Sequence, residues 1–190
     1  MSSRPSSDRL TDIELVGLSS NGDHSAFAEI VRRHKSAIAS TIYGMIGKCD
    51  EADDIGQEVF IRFYKTIGNF RGESALSTYL TRIAINLSLN EIKRRKIRRF
   101  LSFDKMLDDG VDLPDAGETK YSFDNKEIVQ KAIGKLSVKD RSVIVLRLVD
   151  GYTTEETAKI LQVPAGTVLS RLSRAQIKLK NILQQYMPEL

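Results

Sequence analysis

The chain has 190 residues, 41% of them hydrophobic and 28% charged, a length that suits one or two small domains. It holds no Trp and only 4 Pro, and is rich in Lys, Arg, Glu, Leu and Ile, a mix that favours helices over a sheet sandwich. No apolar run approaches the roughly 18–20 residues of a membrane span, and the N-terminal MSSRPSSDRL lacks the apolar core of a secretion signal. The single cysteine, Cys49, cannot by itself make an internal disulfide or a cysteine-based metal site. A soluble, cytoplasmic, helical protein is expected.

Charge is unevenly spread. Residues 1–99 carry 16 basic and 12 acidic side chains, residues 100–123 carry 2 and 6, and residues 124–190 carry 11 and 7. Two basic blocks therefore flank an acidic connector. The densest basic stretch is Lys93-Arg94-Arg95-Lys96-Ile97-Arg98-Arg99, which suits contact with a polyanion or, alternatively, a solvated helix end offsetting the helix dipole.

Taken in order, Thr11-Asp12-Ile13-Glu14 is a capping box that opens a short helix to about Ser20. From Ser25, apolar residues recur at helical spacing through Ile30, Ile38, Ile42 and Met45, predicting a long amphipathic helix. His34 lies on that stripe with no Cys or second His nearby, so it is read as a satisfied core histidine. A helix over about Glu51–Ile67 buries Ala52, Val59, Phe60 and Phe63. The loop Phe70-Arg71-Gly72-Glu73-Ser74 separates it from a third helix over about Ala75–Arg95, which buries Leu76, Leu80, Ala84 and Leu87. Residues 8–99 are thus expected to form one helical domain. Residues 100–123 lose the period and read as a flexible acidic linker. Residues 124–187 form a second domain, in which the capping box Thr153-Thr154-Glu155-Glu156 starts a two-turn helix. Gln162-Val163-Pro164-Ala165-Gly166 then interrupts it, and Thr167 begins the last long helix. The fold class is all-α: two small helical domains on a linker.

Three faces carry possible chemistry. A short helix, a tight turn and a longer helix make a helix-turn-helix pattern. On the last helix, at about 100° per residue, Val168, Leu172, Ala175, Leu179 and Ile182 form an apolar back. Arg171, Arg174 and Lys178, with Thr167 and Ser170 beside them, form a front without acids that suits a DNA major groove. The helix after Cys49 gathers Asp50, Asp53, Asp54, Gln57 and Glu58. Those carboxylates suit a divalent metal, a basic partner surface or plain solvation. Arg82, Asn86, Asn90 and Lys93 share a narrow sector of the third helix, downstream of an aromatic, a cation and a glycine at Phe70–Gly72. Such a series can stack on, hydrogen-bond and neutralise single-stranded DNA.

Read in order, these segments resemble the extracytoplasmic-function (ECF, group IV) sigma factors of bacterial RNA polymerase. The resemblance is carried by Asp50-Glu51-Ala52-Asp53-Asp54-Ile55-Gly56-Gln57-Glu58-Val59-Phe60, by Phe70–Ser74 with Tyr79–Asn86, and by Tyr152–Ala158 with Val163–Arg171. It implies that Asp53, Asp54, Gln57 and Glu58 dock on the clamp helices of the largest subunit of core RNA polymerase, with no metal. It implies that Phe70, Arg71, Ser74, Arg82, Asn86, Asn90 and Lys93 meet the minus-ten promoter DNA as a flipped, single-stranded base, and that Thr167, Ser170, Arg171, Arg174 and Lys178 read the minus-thirty-five duplex. An initiation factor without catalytic residues or cofactor is expected, with an anti-sigma factor as a further partner. Tyr79 stands where the family commonly has Trp, Leu76 where Phe is usual, and Leu169 where Lys or Arg is usual. Gly56 interrupts the docking helix, at a helical cost of about 1 kcal/mol relative to Ala. A free-standing helix-turn-helix regulator is the rival reading, but it gives the acidic face no task; a carboxylate-metal enzyme would need more ligands than the chain offers.

Overall fold

The computed structural model describes residues 10–109 and 125–186, and among them every regular element is helical. In chain order these are α1 (Asp12–Ser20), α2 (His24–Ile46), α3 (Asp50–Lys65), α4 (Leu76–Asp109), α5 (Asn125–Lys135), α6 (Val138–Ile144), α7 (Thr154–Leu161) and α8 (Ala165–Tyr186). A 3-10 turn at Ile67–Asn69 follows α3, and a π-helical turn at Val145–Val149 extends α6.

Local chemistry sets the ends of these helices. Thr11 and Glu14 form the expected capping box on α1, and Thr153 and Glu156 form its counterpart on α7. Asp23 caps α2 by accepting from the backbone N–H groups of Ser25 and Ala26. α3 begins after Cys49, whose side chain makes no capping bond, and three carboxylates in its first turn complement the helix dipole instead. The two domains expected from the pattern are present. The first, which corresponds to domain two of the family it resembles, is α1 to α4 around Leu15, Ile30, Ile38, Ile42, Met45, Val59, Phe63, Leu80 and Ile85. The second, which corresponds to domain four of that family, is α5 to α8 around Ala132, Ile133, Val143, Ile144, Leu146, Ile160, Val168 and Ala175.

Two boundaries differ from expectation. α4 continues to Asp109, past Arg99 where the first domain was expected to end and into the stretch read as linker, because no Gly or Pro interrupts it before Gly110. Of the expected linker, residues 110–123 lie outside the described residues. α8 starts at Ala165, so Gly166 lies inside the last helix and not in the turn before it. The turn before it is made by Gln162, in the left-handed conformation at φ 53°. His34 is held as expected, its Nε2 lying 2.9 Å from Asp12 Oδ2.

Candidate nucleic-acid interface

The loop between α3 and α4 rests on an aromatic cluster. Phe63 is fully buried, with Phe27, Tyr79 and Phe70 at ring-centroid distances of 6.4, 5.9 and 6.3 Å. Phe70 and Tyr79 meet edge to face at 5.3 Å, and the Arg82 guanidinium lies 5.2 Å over the Tyr79 ring. Phe70 thus serves the core and the site together: one part of its half-buried ring packs on Phe63, and another part faces a cavity. Gly72 turns the loop at φ 72°, a left-handed value that a side chain would strain.

That cavity, of about 500 Å³, is lined by Asn69, Phe70, Arg71, Gly72, Glu73, Ser74, Thr78, Tyr79 and Arg82 of domain two, with Lys159 and Gln162 of domain four. It brings together Phe70, Arg71, Ser74 and Arg82 of the predicted minus-ten set, while Asn86 and Lys93 lie exposed further along α4. Asn90 is placed elsewhere, in a groove between α3 and α4 with Glu51, Asp54, Glu58 and Arg94. Thr78 and Tyr79, which are not among the predicted site residues, also line the cavity. Their spacing of four and three residues before Arg82 puts them on its helical face, and that signal was available.

The run Lys93–Arg99 divides into two roles. Arg95 donates to Glu91 Oε1 at 3.3 Å, Ile46 O at 3.1 Å, Cys49 Sγ at 2.9 Å and Glu51 Oε2 at 3.2 Å, and so ties α4 to α2 and α3. Arg98 reaches Glu91 Oε1 at 2.5 Å. Both cations are paired with scaffold carboxylates, though Arg98 is exposed, as are Lys93, Arg94 and Lys96, which no such network ties down among the described residues.

On α3, Asp53, Asp54 and Gln57 are exposed and Glu58 is half-buried. Asp53 accepts from Tyr43 Oη at 2.7 Å, and that carboxylate raises the phenol's pKa. Glu58 accepts from Arg62 Nε at 2.7 Å, which holds its carboxyl below the usual range. Gly56 is not required by packing, since a Cβ there would sit at an ordinary 4.0 Å from Ile42 Cδ1. Among the described residues no three His, Cys, Asp or Glu side chains are grouped to hold a metal ion.

On α8 the predicted back is the packed one: Val168 and Ala175 are fully buried, and Leu172, Leu179 and Ile182 pack partly buried against the core. Ser170, Arg174 and Lys178 are exposed on the front, and Arg171 and Thr167 are partly so. Lys178 already has a partner: its Nζ lies 2.7 Å from Asp140 Oδ2 on α6, and this bond lowers the pKa of the Asp140 carboxyl. Leu169, at the position where a cation was expected, is 55% exposed.

The family profile "Sigma-70 region 2" matches residues 30–98, and "Sigma-70, region 4" matches residues 126–179. The chain is 36% identical over 174 residues to the ECF RNA polymerase sigma factor SigW of Bacillus subtilis, covering 86% of this chain and 91% of the relative. It is 34% identical over 187 residues to the ECF RNA polymerase sigma-E factor of Escherichia coli K12, covering 94% and 97%. Its fold is similar to that of CnrH, solved in complex with the cytosolic domain of CnrY (TM-score 0.68, 24% identity, 92% of this chain and 97% of the other). It is also similar to that of the sigma factor RpoE from Bartonella quintana, solved with the anti-sigma factor NepR (TM-score 0.63, 24% identity, 83% and 96%). The order of the two matched regions, the helix-turn-helix and the coverage agree: the chain belongs to the ECF sigma factors, which bind core RNA polymerase and start transcription at specific promoters.

Proposed function

We propose that the chain divides this work among three surfaces and acts, without catalytic residues of its own, on polymerase in the cytoplasm. Asp53, Asp54, Gln57 and Glu58 on α3 dock on the clamp helices of the largest subunit of core polymerase. The cavity at Phe70, Arg71, Ser74 and Arg82 takes an extruded base of the minus-ten element, with Asn86 and Lys93 following the strand along α4 and Asn90 bordering the acidic groove. The front of α8, from Thr167 through Ser170, Arg171 and Arg174 to Lys178, reads the minus-thirty-five duplex. An anti-sigma factor is a fitting further partner, as it is for the relatives solved with one.

The observation that carries this reading is the cavity itself. It combines an aromatic floor, a cation stacked on that floor and a turn of small residues beside an exposed basic helix face, the features needed to stack and neutralise an unpaired nucleotide. Separation-of-function variants test it. Asp54→Lys with Glu58→Lys lowers core affinity at least tenfold while helicity by circular dichroism is retained, since an exposed i,i+4 pair such as Glu58–Arg62 is worth only about 0.3–0.5 kcal/mol. Phe70→Ala with Arg82→Ala keeps core affinity and loses promoter-dependent run-off transcription. Normal core binding by the first variant, or normal run-off by the second, removes the corresponding assignment.

A further inference from the structure

The front of α8 is not uniformly basic. Val168, Leu172, Ala175 and Leu179 mark the side that packs on the core. At about 100° per residue, the direction straight away from them falls on Gly166, Ser170, Ser173 and Ile177, with Leu169 beside that line. Burial agrees: all five are exposed, Leu169 at 55% and Ile177 at 60%. Thr167 and Arg171 are partly buried at one edge, and Arg174 and Lys178 continue that edge. The helix therefore carries an apolar back, a cationic edge and an uncharged outer strip.

The three strips suit different parts of a duplex. The second helix of a helix-turn-helix enters the major groove by its N-terminal residues, and Leu169 is in the second turn of α8. Gly166, Ser170 and Ser173 are small, so the helix can approach the groove floor closely. Ser170 Oγ donates back to Thr167 O at 3.1 Å, and Arg174 Nε donates to Ser170 O at 3.1 Å, so both side chains are held along the helix. Leu169 has neither donor nor acceptor. An exposed leucine alone carries no meaning; this one stands on the groove-entering turns, in a strip without charge. The base edges of the major groove present one apolar feature, the C5-methyl group of thymine. A cation at this position would hold a phosphate or a guanine and would need no methyl; a leucine offers only the apolar contact.

We propose that Leu169 is a specificity-determining residue, which reads a thymine of the distal promoter element through its C5-methyl group while Arg171, Arg174 and Lys178 hold phosphates at the edge of the groove. The proposal rests on the assignment of the α8 front to the minus-thirty-five duplex. Burial of one methyl group is worth about fourfold in affinity. This contact depends on the base alone and leaves the salt dependence of binding to the cationic edge.

Removal of the methyl group from the DNA tests this directly. Holoenzyme assembled from the full chain and core polymerase selects its distal element from a randomised duplex library. Each thymine of the selected duplex is then replaced in turn by deoxyuridine, which removes the methyl and leaves base pairing unchanged. At one position the replacement lowers wild-type affinity about fourfold. In Leu169→Gln, which keeps the length and helix propensity of the side chain at an exposed position, the same replacement leaves affinity unchanged. A selected element without thymine, a duplex in which no deoxyuridine weakens binding, or a sensitivity that persists in Leu169→Gln would each overturn the proposal. Failure of the underlying assignment reads differently: Arg171→Ala with Arg174→Ala would then bind the selected duplex as tightly as the wild type. Weakened binding by that variant, together with thymines insensitive to loss of the methyl, refutes the Leu169 contact alone.

Discussion

Lys178 offers the sharpest test of how the recognition helix meets DNA, because it starts with a competitor. Its ammonium lies 2.7 Å from Asp140 Oδ2, and its side chain is 56% exposed, so screening keeps the pair in the range of about 0.2–1 kcal/mol. To contact a phosphate, Lys178 must leave Asp140, and duplex affinity is reduced by that amount. Asp140→Asn therefore raises duplex affinity by about 1.4–5-fold at fixed salt while the dependence on salt stays the same. Lys178→Ala removes one phosphate contact, so the slope of log K against log salt becomes shallower by about 0.9. Fluorescence anisotropy with a non-specific duplex between 50 and 200 mM salt measures both, since the electrostatic contribution does not depend on sequence. Thermal melts of each variant establish that α6 still packs on α8. An unchanged slope in Lys178→Ala would place Lys178 off the phosphates and make the ion pair with Asp140 its whole role.

Phe63→Ala removes the fully buried ring beneath Phe70 and Tyr79, and urea unfolding should show a loss of about 3–5 kcal/mol; a loss under 1 kcal/mol would mean that the loop is supported from elsewhere. Gly56→Ala should raise stability by up to about 1 kcal/mol in the same assay, because the added methyl meets only ordinary contact; destabilisation would show that α3 needs the glycine. Glu29 is gripped by Arg32 and Arg33 at 2.7 and 2.6 Å, which lowers its carboxyl from 4.5 to about 2. A depressed acid stabilises the fold above its unfolded pKa, so this contribution is present above about pH 4.5 and is lost as pH falls towards 2. Glu29→Gln should flatten the acid limb of a stability-against-pH curve, and an unchanged limb would refute the assignment.

Local chemistry was the legible part of this fold. Both capping boxes, the apolar back of α8 and the stripe of α2 depend on residues within a few positions of one another, and each is where spacing put it. The end of α4 is not legible because the apolar period is lost after Arg99, yet a helix without Gly or Pro continues until something stops it. The basic run was read as one surface; Glu91, four residues before Arg95, pointed to a scaffold role, but Glu51 and the Ile46 carbonyl could not be paired with Arg95 without the fold. Lys178 with Asp140, and Asp150 with Thr41, join residues far apart in sequence. Asp150-Gly151 in particular reads as a helix stop, and only packing turns its carboxylate towards the other domain.

α4 can also be regarded as a ruler. At about 1.5 Å per residue, its 34 residues measure roughly 50 Å, much longer than the α3 beside it. The chain leaves domain two at the far tip of that rod, so the point from which domain four is tethered is fixed by a rigid element. Residues 110–124 join that tip to α5, and changing their number alters only the length of the connection. Inserting two residues within α4 would instead swing the tether point by about 200° around the rod, and tolerance of promoter spacing should respond far more to that change.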